Sequence, residues 1–261
     1  MKELEYPFDS SFLLKKRRKL KKELLADDTQ RMEKRIAVLG GSTTNDIVSM
    51  LELFLLQEGI APIFYQSEYA QYWQDAMFDA PALRDFHPDL IFIHTTSRNI
   101  TEAPLPLTAD EADVTAALER QYTHFTQMWD HLAETYHCPI IQNNFELPPC
   151  RLMGNRDAWD PHGMVWFIEE LNRRFGAYAH SHQDFYLHDI HYLSASYGLD
   201  AWHDATYWYL YKYAMTLDAI PDFAYHLTRI IRSIYGKNKK VLALDLDNTL
   251  WGGVIGDDGQ E

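Results

Sequence analysis

Cysteine is nearly absent from this chain: Cys138 and Cys150 are the only two in 261 residues. Two thiols cannot build a disulfide framework, so a reducing compartment is expected and the fold must rest on its apolar core. Each reads as a small packed group rather than a nucleophile or ligand. Long apolar runs are missing as well. No stretch of 18 apolar residues occurs and the N-terminus has no signal-type hydrophobic segment, so a cytoplasmic protein without a membrane partner is expected. Basic charge is also scarce, with 24 Lys and Arg against 38 Asp and Glu and a net charge of −14. An acidic bulk repels phosphate backbones, which argues against a nucleic-acid partner.

The basic charge that is present is concentrated. Residues 15–22 hold seven Lys and Arg and no acid, flanked by Leu13, Leu14, Leu20, Leu24 and Leu25. This strip reads as an amphipathic helix. It suits a solvated helix face with leucines on the core, an anionic surface, or a dock for an acidic partner such as acyl carrier protein. Aromatics are abundant, with 16 Tyr, 13 Phe and 7 Trp, enough for a sizeable core.

Along the chain, apolar strands alternate with helical periodicity. Strands are predicted at 35–39, 61–65, 89–94, 139–142 and 185–188. Ile47, Met50, Leu51, Phe54 and Leu55 recur at helical spacing until Gly59, and Val114, Leu118, Tyr122, Phe125, Trp129 and Leu132 mark a long amphipathic helix. A Tyr- and Trp-rich helical region follows the second strand. Helices are also predicted over 164–175 and over 207–235, the latter interrupted by Pro221. Strand centres that are apolar throughout imply a parallel sheet covered on both faces, a three-layer α/β/α architecture. The predicted organisation is a basic helical segment at 1–34, an α/β domain at 35–236 and the start of a second domain at 237–261, with Gly236 and the lysines after it as boundary.

The richest chemistry lies after that boundary. The apolar run 241–244 leads into Asp245-Leu-Asp247-Asn-Thr249-Leu-Trp-Gly-Gly. A carboxylate at a strand's C-terminal end can attack phosphorus and ligate Mg²⁺, which accepts one or two protein carboxylates and keeps several waters. Asp247 reaches the same cleft as general acid/base. Thr249 offers a hydroxyl to a phosphoryl oxygen, and Gly252 and Gly253 permit a sharp turn. The bland alternative is an acidic turn after a strand, but strand, Asp-x-Asp-x-Thr and Gly-Gly together favour a phosphate site.

The run Asp245 to Gly259 resembles motif I of the haloacid dehalogenase (HAD) superfamily, in particular its FkbH-like branch (subfamily IIIC). The resemblance implies that Asp245 is the nucleophile that becomes an aspartyl phosphate. It makes Asp247 the acid/base and Mg²⁺ the cofactor, held by Asp245 and Asp247. Members that load a glyceryl group onto a carrier protein carry Cys between the aspartates. Leu246 stands there instead, which favours phosphatase or phosphotransferase chemistry on a phosphorylated small molecule or acyl phosphate. The family's later motifs lie further downstream than Glu261, so the chain reads as the N-terminal part of a longer enzyme, and alone it is not expected to turn over phosphate.

A second set of polar residues sits where an open parallel sheet places ligands, beyond the carboxyl ends of its strands. Ser42 follows Gly40-Gly41 before a helix, a position that suits nucleophile and oxyanion roles. His203 suits the base and Asp200 its orienter, with Asn99, Asn143 and Asn144 as substrate-binding residues. Gly40-Gly41-Ser42 and Asp200-Ala-Trp-His203 resemble the Gly-Asp-Ser and Asp-x-x-His blocks of the SGNH (GDSL-type) hydrolases. Gly41 replaces the usual Asp, and residues 97–100 match the Gly-x-Asn-Asp block only at Asn99. The alternatives are a helix-capping Ser42 beside a structural His203, and a non-catalytic domain that binds substrate or carrier. His180, His182, His188 and His191, with Asp184 and Asp189, crowd twelve residues, but their spacing matches no known metal motif. Arg151 and Gly154-Asn155-Arg156-Asp157 follow a strand and suit contact with an anionic substrate or, more commonly, a loop held by Asx turns.

Overall fold

The computed structural model describes residues 1–78 and 80–237. Asp245, Asp247 and Thr249 lie outside the described residues. In order, the elements are α1 (Ser10–Ala26), β1 (Met32–Gly40), α2 (Asn45–Gln57), β2 (Ile60–Gln66), α3 (Tyr72–Met77), α4 (Pro81–Phe86), β3 (Leu90–His94), α5 (Glu111–Tyr136), β4 (Ile140–Asn143), α6 (Met164–Ser181), β5 (Phe185–His188), α7 (Ile190–Tyr197), α8 (Leu199–Trp202), α9 (Ala205–Tyr211) and α10 (Ile220–Ile234).

Among the described residues five strands form one parallel sheet in the order β2-β1-β3-β4-β5. The connections run outward in opposite directions from β1 and β3, so a crevice is expected where those two strands end. Each strand feeds both faces by simple alternation. Ile36, Val38, Leu90, Phe92 and Ile141 pack with α1, α2 and α10. Ala37, Leu39, Ile91, Ile93 and Ile140 pack with α5 and α6, around Trp129, Phe125 and Phe175. This is the three-layer α/β/α architecture that the strand pattern implies.

Leu13, Leu20 and Leu24 of α1 are fully buried in the same cluster as Met50 and Leu51 of α2. Burying three leucines is worth roughly 5–8 kcal/mol as an upper estimate. The helix also makes ion pairs, Arg17 with Asp46 and Lys21 with Glu52 at 2.8 Å. Partly exposed pairs contribute only about 0–1 kcal/mol each. The leucines therefore hold α1 in place. Residues 1–34 are thus packed into the α/β unit, and the boundary at 34 falls inside β1.

The region 207–235 differs from its sequence reading. Lys212 adopts a left-handed conformation (φ 60°) that ends α9, and Pro221 opens α10 instead of interrupting a helix. Proline fits the first helical turn because that turn's N–H groups have no intrahelical partner.

Candidate functional site

The turn after β1 is built by close approach. Gly40 N–H donates to Ser67 Oγ at 2.8 Å, and Gly41 N–H donates to the His94 carbonyl at 2.8 Å. A Cβ on Gly41 would lie 2.5 Å from Asn99 Oδ1, so no larger residue fits without moving that side chain. Asn99 is fixed there: its Oδ1 accepts from Thr96 N–H at 2.9 Å and its Nδ2 donates to the Gly41 carbonyl at 3.3 Å. Two residues far apart in sequence, Ser42 and Asn99, are thereby brought to one turn.

Ser42 is 2 % exposed and its Oγ has no hydrogen-bond partner. It precedes α2, whose N-cap Thr44 makes no side-chain capping bond. A cavity of about 280 Å³ opens beside it, lined by Ser42, Thr44, Asn45, Gln66, Glu68 and Tyr69. Buried polar atoms are normally paired, so the unmet hydroxyl marks this turn as a place where a ligand atom would be stabilised.

Helix α9 is fastened across the same turn. Thr43 N–H donates to the Lys212 carbonyl at 3.0 Å, and Thr43 Oγ1 donates to the Tyr211 carbonyl at 2.6 Å. Tyr213 Oη donates to Asp46 Oδ2 at 2.5 Å, and Asp46 Oδ1 pairs with Arg17 of α1. The Arg98 guanidinium lies 4.5 Å from the centre of the Trp208 ring, a cation–π contact. Basic helix, β1 turn and aromatic α9 are thus mechanically linked.

His203, after α8, is half-buried, and its Nε2 lies 2.9 Å from the Leu147 carbonyl. A carbonyl only accepts, so that nitrogen carries the proton. Burial pulls the His203 pKa below its ordinary value, opposed by the Leu147 contact, deepened by Arg98 and offset by the Asp200 charge. Asp200 is exposed. Among the described residues no hydrogen bond joins Asp200 to His203, or His203 to Ser42. A serine triad needs Nε2 for the nucleophile. Here that atom is committed elsewhere.

Asn143 and Asn144 are held inside the scaffold. The Asn143 side chain meets His94 Nδ1 at 3.0 Å, Thr95 N–H at 3.1 Å and the Thr95 carbonyl at 2.5 Å. Asn144 Nδ2 donates to Asp189 Oδ1 at 2.7 Å, and its Oδ1 accepts from His191 N–H at 3.0 Å. Both are buried. Their amides bind strand ends together instead of facing a cleft.

Glu146 escaped the sequence reading. It is 2 % exposed, and its Oε1 accepts from Ser97 N–H at 3.1 Å and Ser97 Oγ at 2.9 Å, while Oε2 has no partner. Burial pushes its pKa up to about 7, against the Ser97 bonds and the Arg98 charge. The group therefore changes protonation near neutrality, as a general acid/base must. Its only sequence signal is one acid wedged between Phe145 and Leu147 shortly after an apolar strand.

A family model described as FkbH, N-terminal domain, matches residues 35–232. The chain belongs to this family. The FkbH N-terminal domain shares its fold with the N-terminal part of the protein BF1531 from Bacteroides fragilis, which contains a phosphatase domain complexed with Mg. The identity is 23 %, the TM-score 0.78, and the match covers 93 % of this chain and 63 % of that one. The chain thus spans less than two-thirds of that relative's length. A putative acylhydrolase, BF3764, from the same organism matches at 16 % identity and TM-score 0.45, over 84 % of this chain and 95 % of that one. A GDSL-like lipase, BT0569, from Bacteroides thetaiotaomicron matches at 15 % identity and TM-score 0.42, over 86 % and 98 %. Comparison with curated proteins finds no match.

Proposed function

We propose that this chain is the N-terminal part of a Mg²⁺-dependent HAD-type phosphatase or phosphotransferase that acts on a phosphorylated small molecule or acyl phosphate. The observation that carries the reading is the run Asp245-Leu-Asp247-Asn-Thr249, which follows directly on an FkbH N-terminal domain. The solved relative, which contains a phosphatase domain complexed with Mg, supports it. Asp245 attacks phosphorus and becomes the aspartyl phosphate, Asp247 exchanges the proton with the leaving oxygen, and Thr249 holds a phosphoryl oxygen. Asp245 and Asp247 would hold Mg²⁺, which would supply positive charge to the phosphoryl oxygens. The α/β unit contributes the polar cleft at Ser42, which binds a part of the substrate remote from phosphorus. Asp245→Asn in the full-length protein is expected to cut phosphate release at least about a thousandfold. Undiminished release would sink the reading.

The partner fitted by α1 is an acidic one, an acyl carrier protein. Arg17 and Lys21 are already paired, but Lys15, Lys16, Arg18 and Lys22 face solvent. Reversing the charge of Lys15, Arg18 and Lys22 together should weaken carrier binding and flatten its salt dependence. Binding that ignores the reversal counts against the dock.

A second reading, acyl-ester hydrolysis at Ser42, is favoured by the unpartnered Ser42 Oγ. It requires His203 Nε2 to leave the Leu147 carbonyl. A panel of short acyl esters offered to the chain tests it, and silence removes it.

A further inference from the structure

Two long loops leave the carboxyl end of the sheet side by side: residues 95–110 run from β3 to α5, and residues 144–163 run from β4 to α6. The first borders the crevice at Asn99. The second carries Glu146 and Leu147, whose carbonyl holds His203. At their bases the loops are tied by Ser97 N–H and Oγ, which donate to Glu146 Oε1 at 3.1 and 2.9 Å. They meet again at their far ends, where His162 of the second loop reaches the Ala109 carbonyl of the first.

The second loop is a rigid mount for that histidine. Asp157 is fully buried and accepts from Met153 N–H at 3.1 Å and from Val165 N–H at 2.8 Å. One side chain thus closes the loop and satisfies an orphan donor in the first turn of α6. A Cβ on Gly163 would lie 2.1 Å from the Asp157 carbonyl oxygen, a backbone contact that leaves no room for a larger residue. Asp160 is buried too. Its Oδ1 accepts from His162 N–H at 2.9 Å and its Oδ2 from Arg156 Nε at 2.7 Å. The far end of the first loop is built more loosely. Pro104, Pro106, Leu107 and Thr108 are exposed, and Ala109 N–H donates to the Pro106 carbonyl at 2.9 Å, within the loop itself.

Both ring nitrogens of His162 face acceptors. Nδ1 lies 2.8 Å from Asp160 Oδ1, and Nε2 lies 3.0 Å from the Ala109 carbonyl oxygen. Neither a carbonyl oxygen nor an ionised carboxylate can donate. The bonds from His162 and Arg156 pull the Asp160 pKa down to about 2, against burial, so it is ionised throughout the neutral range. Both contacts are hydrogen bonds only when each nitrogen carries a proton, which makes the ring an imidazolium. The Ala109 carbonyl and then Asp160 raise the His162 pKa above its ordinary 6.5, opposed by burial and by the Arg156 charge. Among the described residues, Asp160 and Arg156 are the charges that act on the ring, both from its own loop. Asp110, beside Ala109, is turned to α5, where its Oδ1 accepts from Asp113 N–H at 2.8 Å. A neutral ring keeps a single N–H. It stays on Nδ1, because the ionised Asp160 is the stronger acceptor. Nε2 then presents a lone pair to the lone pairs of the Ala109 carbonyl, and attraction turns to repulsion.

We propose that His162 is a pH-sensitive clasp between the loops that follow β3 and β4: as an imidazolium it fastens Ala109 to the Asp160 mount, and on losing a proton it releases the loop that borders the crevice at Asn99. The clasp is independent of the chemistry assigned to Asp245 and Asp247. Because the pKa is raised, the tie is complete below pH 6.5 and is lost as pH rises through the folded-state value. The test is an NMR titration of the chain that reads both ring nitrogens of His162. Hydrogen exchange of the Ala109 amide is followed at each pH, relative to its free-chain rate. His162 should titrate above 6.5, with both nitrogens protonated on the acid side, and Ala109 should lose protection as His162 loses its proton. Asp160→Asn, which keeps the shape and removes the charge, should lower the titration point and carry the loss of protection down with it. Arg156→Gln, which removes the opposing charge, should raise that point. His162→Gln should abolish the pH response at Ala109. The proposal is overturned if His162 of the unaltered chain titrates at or below 6.5, or if one ring nitrogen stays unprotonated on the acid side. It is overturned equally if Ala109 exchange ignores that titration, or if its pH response survives His162→Gln.

Discussion

Two groups of polar side chains stand at the carboxyl ends of the strands, and only one of them closes on itself. At β3 and β4, Asn143 joins His94, Thr95 and Asn144, while Gln142 accepts from Trp129 Nε1 at 3.1 Å and donates to Thr95 Oγ1 at 2.9 Å. Apart from His94 Nε2, the atoms of this group are met within the protein. Around β1 and the segments following β3 and β4, Ser42 Oγ and Glu146 Oε2 are buried without partners. Residue type alone does not separate the two groups, since hydroxyls and amides stand in both, Thr95 and Asn143 in the first and Ser42 and Asn99 beside the second. Satisfaction does. A saturated cluster is scaffold, and an unsatisfied one is where an incoming ligand has most to offer.

The sharpest way to break this contrast is to empty a member of the saturated group. Asn143→Ala strands Thr95 N–H and the Thr95 carbonyl in a dry interior, and should destabilise the fold by roughly 3–4 kcal/mol. Urea unfolding measures this, and a loss below about 1 kcal/mol would show the network to be ornamental.

Next in size is the pH response of Glu146. Burial raises its pKa from the ordinary 4.5 to about 7, so this residue's contribution is full below pH 4.5 and is lost as pH rises through 7. His94 acts oppositely. Burial pushes its pKa down to about 4 from 6.5, outweighing the Asn143 bond, so its contribution is present above 6.5 and lost as pH falls toward 4. Glu146→Gln should therefore be more stable than the unaltered chain at pH 8, on the order of 3 kcal/mol, with the advantage gone by pH 4.5. A pH-independent difference would remove Glu146 as a titrating group.

The smallest expected effect is at Ser42. Its hydroxyl makes no bond in the protein, so Ser42→Ala should change stability by no more than about 0.5 kcal/mol in either direction, while weakening whatever ligand occupies the turn. A clear destabilisation would mean that the hydroxyl is structural after all, and the contrast between the two groups would blur.

Legibility in the sequence tracked the range of the interaction. Strand centres such as 90–93 are readable because a short run that is apolar at every position marks a strand buried on both faces, and helix stripes such as Val114 to Leu132 because burial repeats every 3.6 residues along the chain itself. The interruption in 207–235 falls between Tyr211 and Ile220, ahead of Pro221, because Pro221 is ambiguous locally: the same residue breaks a helix or opens one, depending on whether its turn has N–H groups to satisfy. The burial of α1 in the main core was only half visible. Leu13, Leu20 and Leu24 announced an apolar face, but not that α2 and α10 would cover it.

By itself the sequence determined the parallel α/β/α architecture, and it carries the resemblance of the run at Asp245 and Asp247 to motif I of the HAD superfamily. Apolar periodicity and motif spacing are local properties, and chain order carries them. Only the tertiary structure decided that His203 bonds the Leu147 carbonyl, that Asn143 and Asn144 are internal ties, that Ser42 and Asn99 meet at one turn, and that Glu146 is buried with one carboxyl oxygen unmet. Each depends on which backbone or side chain arrives from another strand, and such encounters leave no periodic trace in the sequence of either partner.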